Sequence, residues 1–127
     1  MISSIFVNMP VADVARSRAF FEKLGFGVNE RFTSADSVCV EIGSNISMMM
    51  MNAEKFAGFI DKEIVAKGSS EVILSLACES AEKVRAITEK AFEQGARKVN
   101  EAEDTEFMFS WAFEDLDGHL WDLFWIK

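Results

Sequence analysis

Few side chains in this 127-residue sequence can do acid–base or nucleophilic chemistry near neutral pH. There is one histidine, His119, and there are two cysteines, Cys39 and Cys78, no tyrosine, and twenty-one Asp and Glu residues. Each cysteine sits inside an apolar run with no histidine beside it, so both read as small buried thiols in a reducing compartment. His119 adjoins the run Asp115, Leu116, Asp117 and Gly118, a hairpin-type turn, and reads as facing solvent rather than a metal. The other side chains of interest are suited to binding. Phe107, Phe109 and Trp111 alternate along one extended segment and so share a face, as Phe124 shares the face of Asp122. Such aromatic walls suit a flat apolar ligand, and the same spacing also builds plain core. Asn8 lies two residues beyond Phe6 on one strand face, placed either to bond a ligand or to cap a turn at Met9 and Pro10. Met48, Met49, Met50 and Met51 form an unbroken methionine run, and unbranched thioethers adapt to an irregular pocket or core.

These residues need a scaffold, and the composition describes one. Half of the residues are hydrophobic, one is proline, and no stretch is dominated by Gly, Ser or charge, which marks a folded domain rather than a disordered chain. A chain of this length buries roughly two thirds of its unfolded surface. The net charge of -8 comes from thirteen basic residues against twenty-one acidic ones, with the basic residues scattered. That field repels a phosphate backbone and an anionic membrane surface, which argues against nucleic acid and membrane as partners. No apolar run approaches the length of a spanning helix, and the start of the chain has no signal-peptide pattern, so a cytoplasmic location is expected.

The order of elements repeats after about seventy residues. The first half reads as a strand over residues 2–8, a helix from Asp13 to Gly25, and extended segments over 26–33, 37–42 and 46–51. The second half reads as a strand over 71–76, a helix from Ser80 to Gly95, and extended segments over 97–103, 107–114 and 119–126. Asp13 and Ser80 are good helix N-caps, and Gly25 and Gly95 are natural C-terminal stops. Val14, Phe21 and Leu24 fall on one helical face, as do Val84, Ile87 and Ala91, so each helix has a stripe to lay on a sheet. The prediction is an α+β fold of two tandem βαβββ modules, 1–52 and 69–127, within a single domain over 1–127. Residues 53–68 link them, with a short helical pattern at 54–59.

This repeated order resembles the vicinal-oxygen-chelate superfamily, the glyoxalase, bleomycin-resistance and dioxygenase type. Two motifs carry the resemblance. One is Val11-Ala12-Asp13-Val14-Ala15-Arg16-Ser17 leading into Phe20-Phe21 and Leu24-Gly25-Phe26. The other is Phe113-Glu114-Asp115-Leu116-Asp117-Gly118-His119-Leu120-Trp121-Asp122-Leu123, with Leu116 where the superfamily's turn customarily has proline. The resemblance implies a cup-shaped mixed sheet with helices on its outer face, a cleft facing the cup, and usually a homodimer. Metal-dependent members resembling glyoxalase carry one His or Glu ligand on each of four strands, and the metal stabilises an enediolate. Those places fall here at Phe6, about Met49, Glu71 and Asp122. Phenylalanine has no lone pair, a thioether is a poor ligand for a borderline ion, and a one-residue slip along the methionine run only exchanges one methionine for another. No full metal site is expected, and no cofactor, although Glu71 and Asp122 leave open an incomplete divalent site.

On the same resemblance Glu71 and Asp122 come from neighbouring strands. Two carboxylates sharing a partly dry pocket cannot both stay charged cheaply, so one of them is a candidate proton acceptor. The expected function is a glyoxalase-like protein that binds a small organic ligand in an apolar, acidic cleft. Catalysis, if any, would be lyase- or isomerase-like, related to lactoylglutathione lyase, and would rest on Glu71 or Asp122. Phe6, Asn8, Met49, Phe109, Trp111 and Phe124 are the expected ligand contacts. A non-catalytic sequestering protein resembling the bleomycin-resistance type is the first alternative. A metal-dependent lyase, isomerase or dioxygenase is the second.

Overall fold

The computed structural model describes residues 1–127. The chain divides into two compact units, Met1–Ile64 and Val65–Lys127. That boundary falls inside the segment read as a linker.

The first unit runs β1 (Ile5–Val11), α1 (Val14–Lys23), β2 (Gly27–Val28), a 3-10 turn (Glu30–Phe32), β3 (Ser37–Gly43), β4 (Ile46–Asn52) and α2 (Ala53–Ala57). Its sheet has the order β1-β4-β3-β2, with β1 parallel to β4 and the other pairs antiparallel. The Asp13 carboxylate accepts the Arg16 N–H at 3.1 Å and starts α1, while Gly25 at φ +101° ends it, a backbone state cheapest for glycine. Phe20, Phe21 and Leu24 are buried along one side of this helix. One sheet face presents Met9, Val11, Val38, Val40, Met48 and Met50, all buried. Strand periodicity leaves Phe6, Asn8, Cys39, Glu41, Ser47 and Met49 on the other face, in the same register.

The second unit repeats the plan with β5 (Ile73–Ala77), α3 (Ala81–Glu93), β6 (Arg97–Lys98), β7 (Glu103–Asp104), β8 (Met108–Glu114) and β9 (Leu120–Ile126). The sheet order is β5-β9-β8-β6, with β7 also pairing β8, and β5 is parallel to β9. Ser80 caps α3 through the Lys83 N–H at 3.1 Å, and Gly95 takes φ +100° after it. Val84, Ile87 and Ala91 of the predicted stripe are buried, as are Phe109, Phe113, Trp121 and Leu123 of β8 and β9.

The β8–β9 turn is held by a buried carboxylate. Asp115 accepts the backbone N–H of Asp117 at 2.9 Å and of His119 at 3.0 Å, and the indole N–H of Trp121 at 2.9 Å. Burial pushes the Asp115 carboxyl above the ordinary aspartate range, partly offset by the charge of His119 and by these bonds. Gly118 sits at φ +89°, and a Cβ there would lie 2.8 Å from the carbonyl oxygen of Lys67. The turn therefore needs glycine both for its backbone state and for clearance.

Two expected extended segments are broken. Residues 26–33 hold a two-residue strand and then the 3-10 turn, because the Asn29 side chain accepts the Arg31 N–H at 3.1 Å and the Asn29 carbonyl accepts the Thr33 hydroxyl at 2.8 Å. Residues 97–103 give only the short strands β6 and β7. The expected turn at Met9 and Pro10 is absent, since both lie within β1.

Candidate functional site

The open face of the second sheet is built from alternate residues of β5, β9 and β8. Pairing places Ser75, Asp122 and Ala112 in one row across the three strands, with Ala77, Phe124 and Ser110 in the next. Glu103 pairs with Ser110 and joins them at the edge of this surface. The Asp122 carboxyl is pushed above the ordinary aspartate range chiefly by burial, then by the negative charge of Glu103, against a hydrogen bond from the Ser75 hydroxyl. A carboxylate in that position is a better proton acceptor than a solvated one, because its conjugate acid is less dissociated. Glu114 lies on the same face, but Arg97 grips it through two bonds of 2.9 and 3.2 Å. That grip is the main reason its carboxyl lies below the usual range.

Glu71 is not the partner of Asp122. It lies in a bend before β5, exposed to solvent, and the strand starts two residues later at Ile73. Ser75 is the residue abreast of Asp122, which sets Glu71 four residues, or roughly 13 Å of extended chain, away from it. The carboxylate whose charge acts on Asp122 is Glu103. Its role was hidden because residues 97–103 read as one strand, whereas β7 forms separately and brings Glu103 against β8.

Phe109 and Trp111 are also placed apart from Asp122. They share a face with Phe113, Trp121 and Leu123, the opposite side of the sheet. There Phe109 is buried under the Arg85 guanidinium at 4.4 Å, and Trp111 meets Phe92 of α3 edge-on at 5.3 Å. The Trp111 indole N–H donates to the Asn100 carbonyl at 3.2 Å. They are core and helix-packing residues. Phe124 is on the face of Asp122, as its spacing required.

In the first unit Phe6, Asn8 and Met49 do share one face, with Asn8, Met49 and Cys39 in a single row. The 3-10 turn adds an aromatic that the sequence reading did not single out. Phe32 meets Phe6 edge-to-face with centroids 6.1 Å apart, and both rings are nearly half exposed. Cys39 is fully buried and Cys78 half-buried, and burial raises both thiols above the ordinary range.

The four places that metal ligands would take do not form a donor set. Phe6 and Met49 carry no oxygen or imidazole, and Glu71 lies outside its strand. No three His, Cys, Asp or Glu side chains gather where they could hold an ion. These residues do not fit a divalent metal of that kind.

Residues 3–43 match the family described as bleomycin resistance protein-like N-terminal. A search of curated proteins finds no match. Among solved structures the chain is similar to a hypothetical protein from S. aureus, with 27% identity and a TM-score of 0.82 over 98% of this chain and 94% of that one. It is similar to a glyoxalase/bleomycin resistance protein/dioxygenase family enzyme from Burkholderia phytofirmans PsJN, at 16% identity and a TM-score of 0.79 over 96% and 97% of the two chains. It also resembles the genomically encoded fosfomycin resistance protein from Listeria monocytogenes, at 19% identity and a TM-score of 0.69 over 98% and 91%. The repeated βαβββ order, the sheet topology and these likenesses agree: the chain is built on the fold of the vicinal-oxygen-chelate superfamily, and its residues 3–43 match the bleomycin resistance protein-like N-terminal family.

Proposed function

We propose that this protein binds a small organic ligand on the apolar and acidic open faces of its sheets, without a resident metal, and acts as a homodimer. Asp122 is the observation that carries the reading. It is an acid on a strand face among Ser75, Ser110, Ala77, Ala112 and Phe124, with a raised proton affinity and no cation holding it. A ligand with an acidic C–H or O–H, or a cationic group, would be met there by a carboxylate ready to take a proton or to pair. In the first unit, Phe6, Phe32 and Met49 offer an apolar surface with the Asn8 amide beside it. If chemistry takes place, it is proton transfer at Asp122 of the lyase or isomerase kind. If none does, the same residues sequester their ligand. No helix is long and apolar enough to cross a membrane, and the acidic balance disfavours nucleic acid.

A thermal-shift screen of small organic acids, amines and aromatics tests the reading. Any compound that raises the melting temperature of the wild type is expected to lose most of that shift in Asp122→Asn or Phe6→Ala. Equal shifts in all three proteins would remove both Asp122 and Phe6 from ligand binding. Turnover lost in Asp122→Asn with binding kept marks an enzyme, whereas binding with no turnover in the wild type marks a sequestering protein. Elemental analysis finding one divalent metal per chain would overturn the metal-free part.

A further inference from the structure

Arg31, in the 3-10 turn of the first unit, carries a charge that no carboxylate of the chain answers. Arg18 bonds Glu30 and Glu22, Lys55 bonds Asp36, and Arg97 bonds Glu114. The Arg31 guanidinium instead lies over the Phe32 ring, 5.5 Å from its centroid, and donates no hydrogen bond within the chain. A guanidinium over a ring keeps its in-plane N–H donors for a planar acceptor. Phe32 in turn meets Phe6 edge-to-face, so a cation and two half-exposed rings are continuous. Backbone bonds set this arrangement. The Asn29 N–H donates to the Cys39 carbonyl at 2.9 Å and the Thr33 hydroxyl accepts the Cys39 N–H at 3.1 Å, so both ends of the turn are pinned to β3. From there Phe32 reaches Phe6 on β1, the far edge of the sheet β1-β4-β3-β2. The acid on this face is Glu41, abreast of Ser47 and two strands from Phe6, roughly 10 Å at ordinary strand spacing.

A chain of net charge -8 repels an anion at long range, and repels it more the higher the anion's own charge. One short-range cation suits a monoanion under those conditions, and a planar carboxylate matches the guanidinium fork with two parallel bonds. We propose that the open face of the first unit takes a small monocarboxylate carried on an aromatic body. The carboxylate sits on the Arg31 N–H donors, and the aromatic body lies against Phe6 and Phe32, where ring edges and faces both remain exposed. The acid-bearing face of the second unit has no equivalent, because the arginine on it, Arg97, is already engaged by Glu114.

The proposal rests on the ligand-binding reading and names the ligand's charge. Ligand-observed NMR titrations of the full chain with phenylacetate, phenylacetamide and benzylamine, which share a benzyl group and differ in head group, test it. Phenylacetate is expected to bind at least about tenfold more tightly than the amide or the amine. Arg31→Gln, at an exposed position, is expected to abolish that preference with an unchanged circular dichroism spectrum, and Arg31→Lys to restore part of it. Lys23→Gln, which removes another exposed base of the first unit, is expected to keep it. Phe32→Ala is expected to weaken phenylacetate and phenylacetamide alike. Phenylacetate that does not saturate, or a preference that survives Arg31→Gln or is lost in Lys23→Gln, overturns the anion site. If benzylamine binds more tightly and is lost in Asp122→Asn, the anion site falls while the ligand-binding reading stands. No saturation by any of the three, with no hit in the thermal-shift screen, overturns both.

Discussion

The two units build the same sheet and leave different chemistry on its open face. The row across strands one, four and three is Asn8, Met49 and Cys39 in the first unit, and Ser75, Asp122 and Ala112 in the second. Their strand orders are equivalent, β1-β4-β3-β2 against β5-β9-β8-β6. The opposite faces do the same work with different side chains, Met48 and Met50 in one, Trp121 and Leu123 in the other, all buried. Burial sets the character of one face as apolar, while the other varies between the copies: at the centre of the row the first carries the thioether of Met49 and the second the carboxylate of Asp122. Function resides in that freedom rather than in the shared fold.

The last hairpins differ as well, and they offer the sharpest way to break the comparison. β3 and β4 join through Gly43 with a register shift between Glu41 and Gly43, and the turn Gly43, Ser44, Asn45 contains no carboxylate. β8 and β9 depend on Asp115, which satisfies two backbone N–H groups and the Trp121 indole. Asp115→Ala strands these buried donors, and a loss of about 3 kcal/mol is expected in urea unfolding. A loss below about 1 kcal/mol would mean that the turn is fixed by Gly118 and strand pairing instead.

Asp122 gives the next largest effect, and its sign is determined. Its carboxyl titrates higher in the folded chain than in the unfolded one. The stability it contributes is therefore fully present below the unfolded value, near about pH 4, and is lost as pH rises through the folded value. Asp122→Asn should gain stability relative to the wild type as pH increases over that window. Met49→Leu, at the equivalent place in the first unit, should show no such trend. Parallel pH dependences in the two variants would erase the contrast between the faces.

The smallest effect belongs to Arg97→Ala. Arg97 holds Glu114 on the same face as Asp122 and lowers its carboxyl, so the pair contributes above the unfolded carboxylate range and stops doing so as pH falls through the folded value. Both partners reach solvent, and exposed pairs contribute little. The expected outcome is a barely measurable change at neutral pH, with the carbon-13 titration of Glu114 moving upward toward that of Asp122. A titration that does not move would show that Arg97 is not what separates the two acids.

Much of the frame was legible beforehand. Asp13 and Ser80 cap the two long helices, Gly25 and Gly95 follow them at positive φ, and the first, third and fourth strands of each module fall within a few residues of where alternation placed them, while the segment after each helix is broken. Caps and stops are local, so composition and spacing suffice. The site was less legible. Phe6, Asn8 and Met49 share a face as their spacing required, and Phe124 shares that of Asp122. Phe109 and Trp111 went to the helix-packed side, because alternation says which residues share a face but not which face is covered.

By itself the sequence determined the repeated order of elements, the helix ends, the acidic balance and the absence of oxygen or nitrogen donors at Phe6 and Met49. Tertiary structure decided the partners. Strand register put Ser75 rather than Glu71 abreast of Asp122, the separate pairing of β7 brought up Glu103, and a side-chain-capped turn at Asn29 brought Phe32 to Phe6. The physical reason is that these neighbours are joined by cross-strand hydrogen bonds between residues far apart in the chain. A displacement of a few residues in where a strand begins, invisible to local propensity, replaces every neighbour along it.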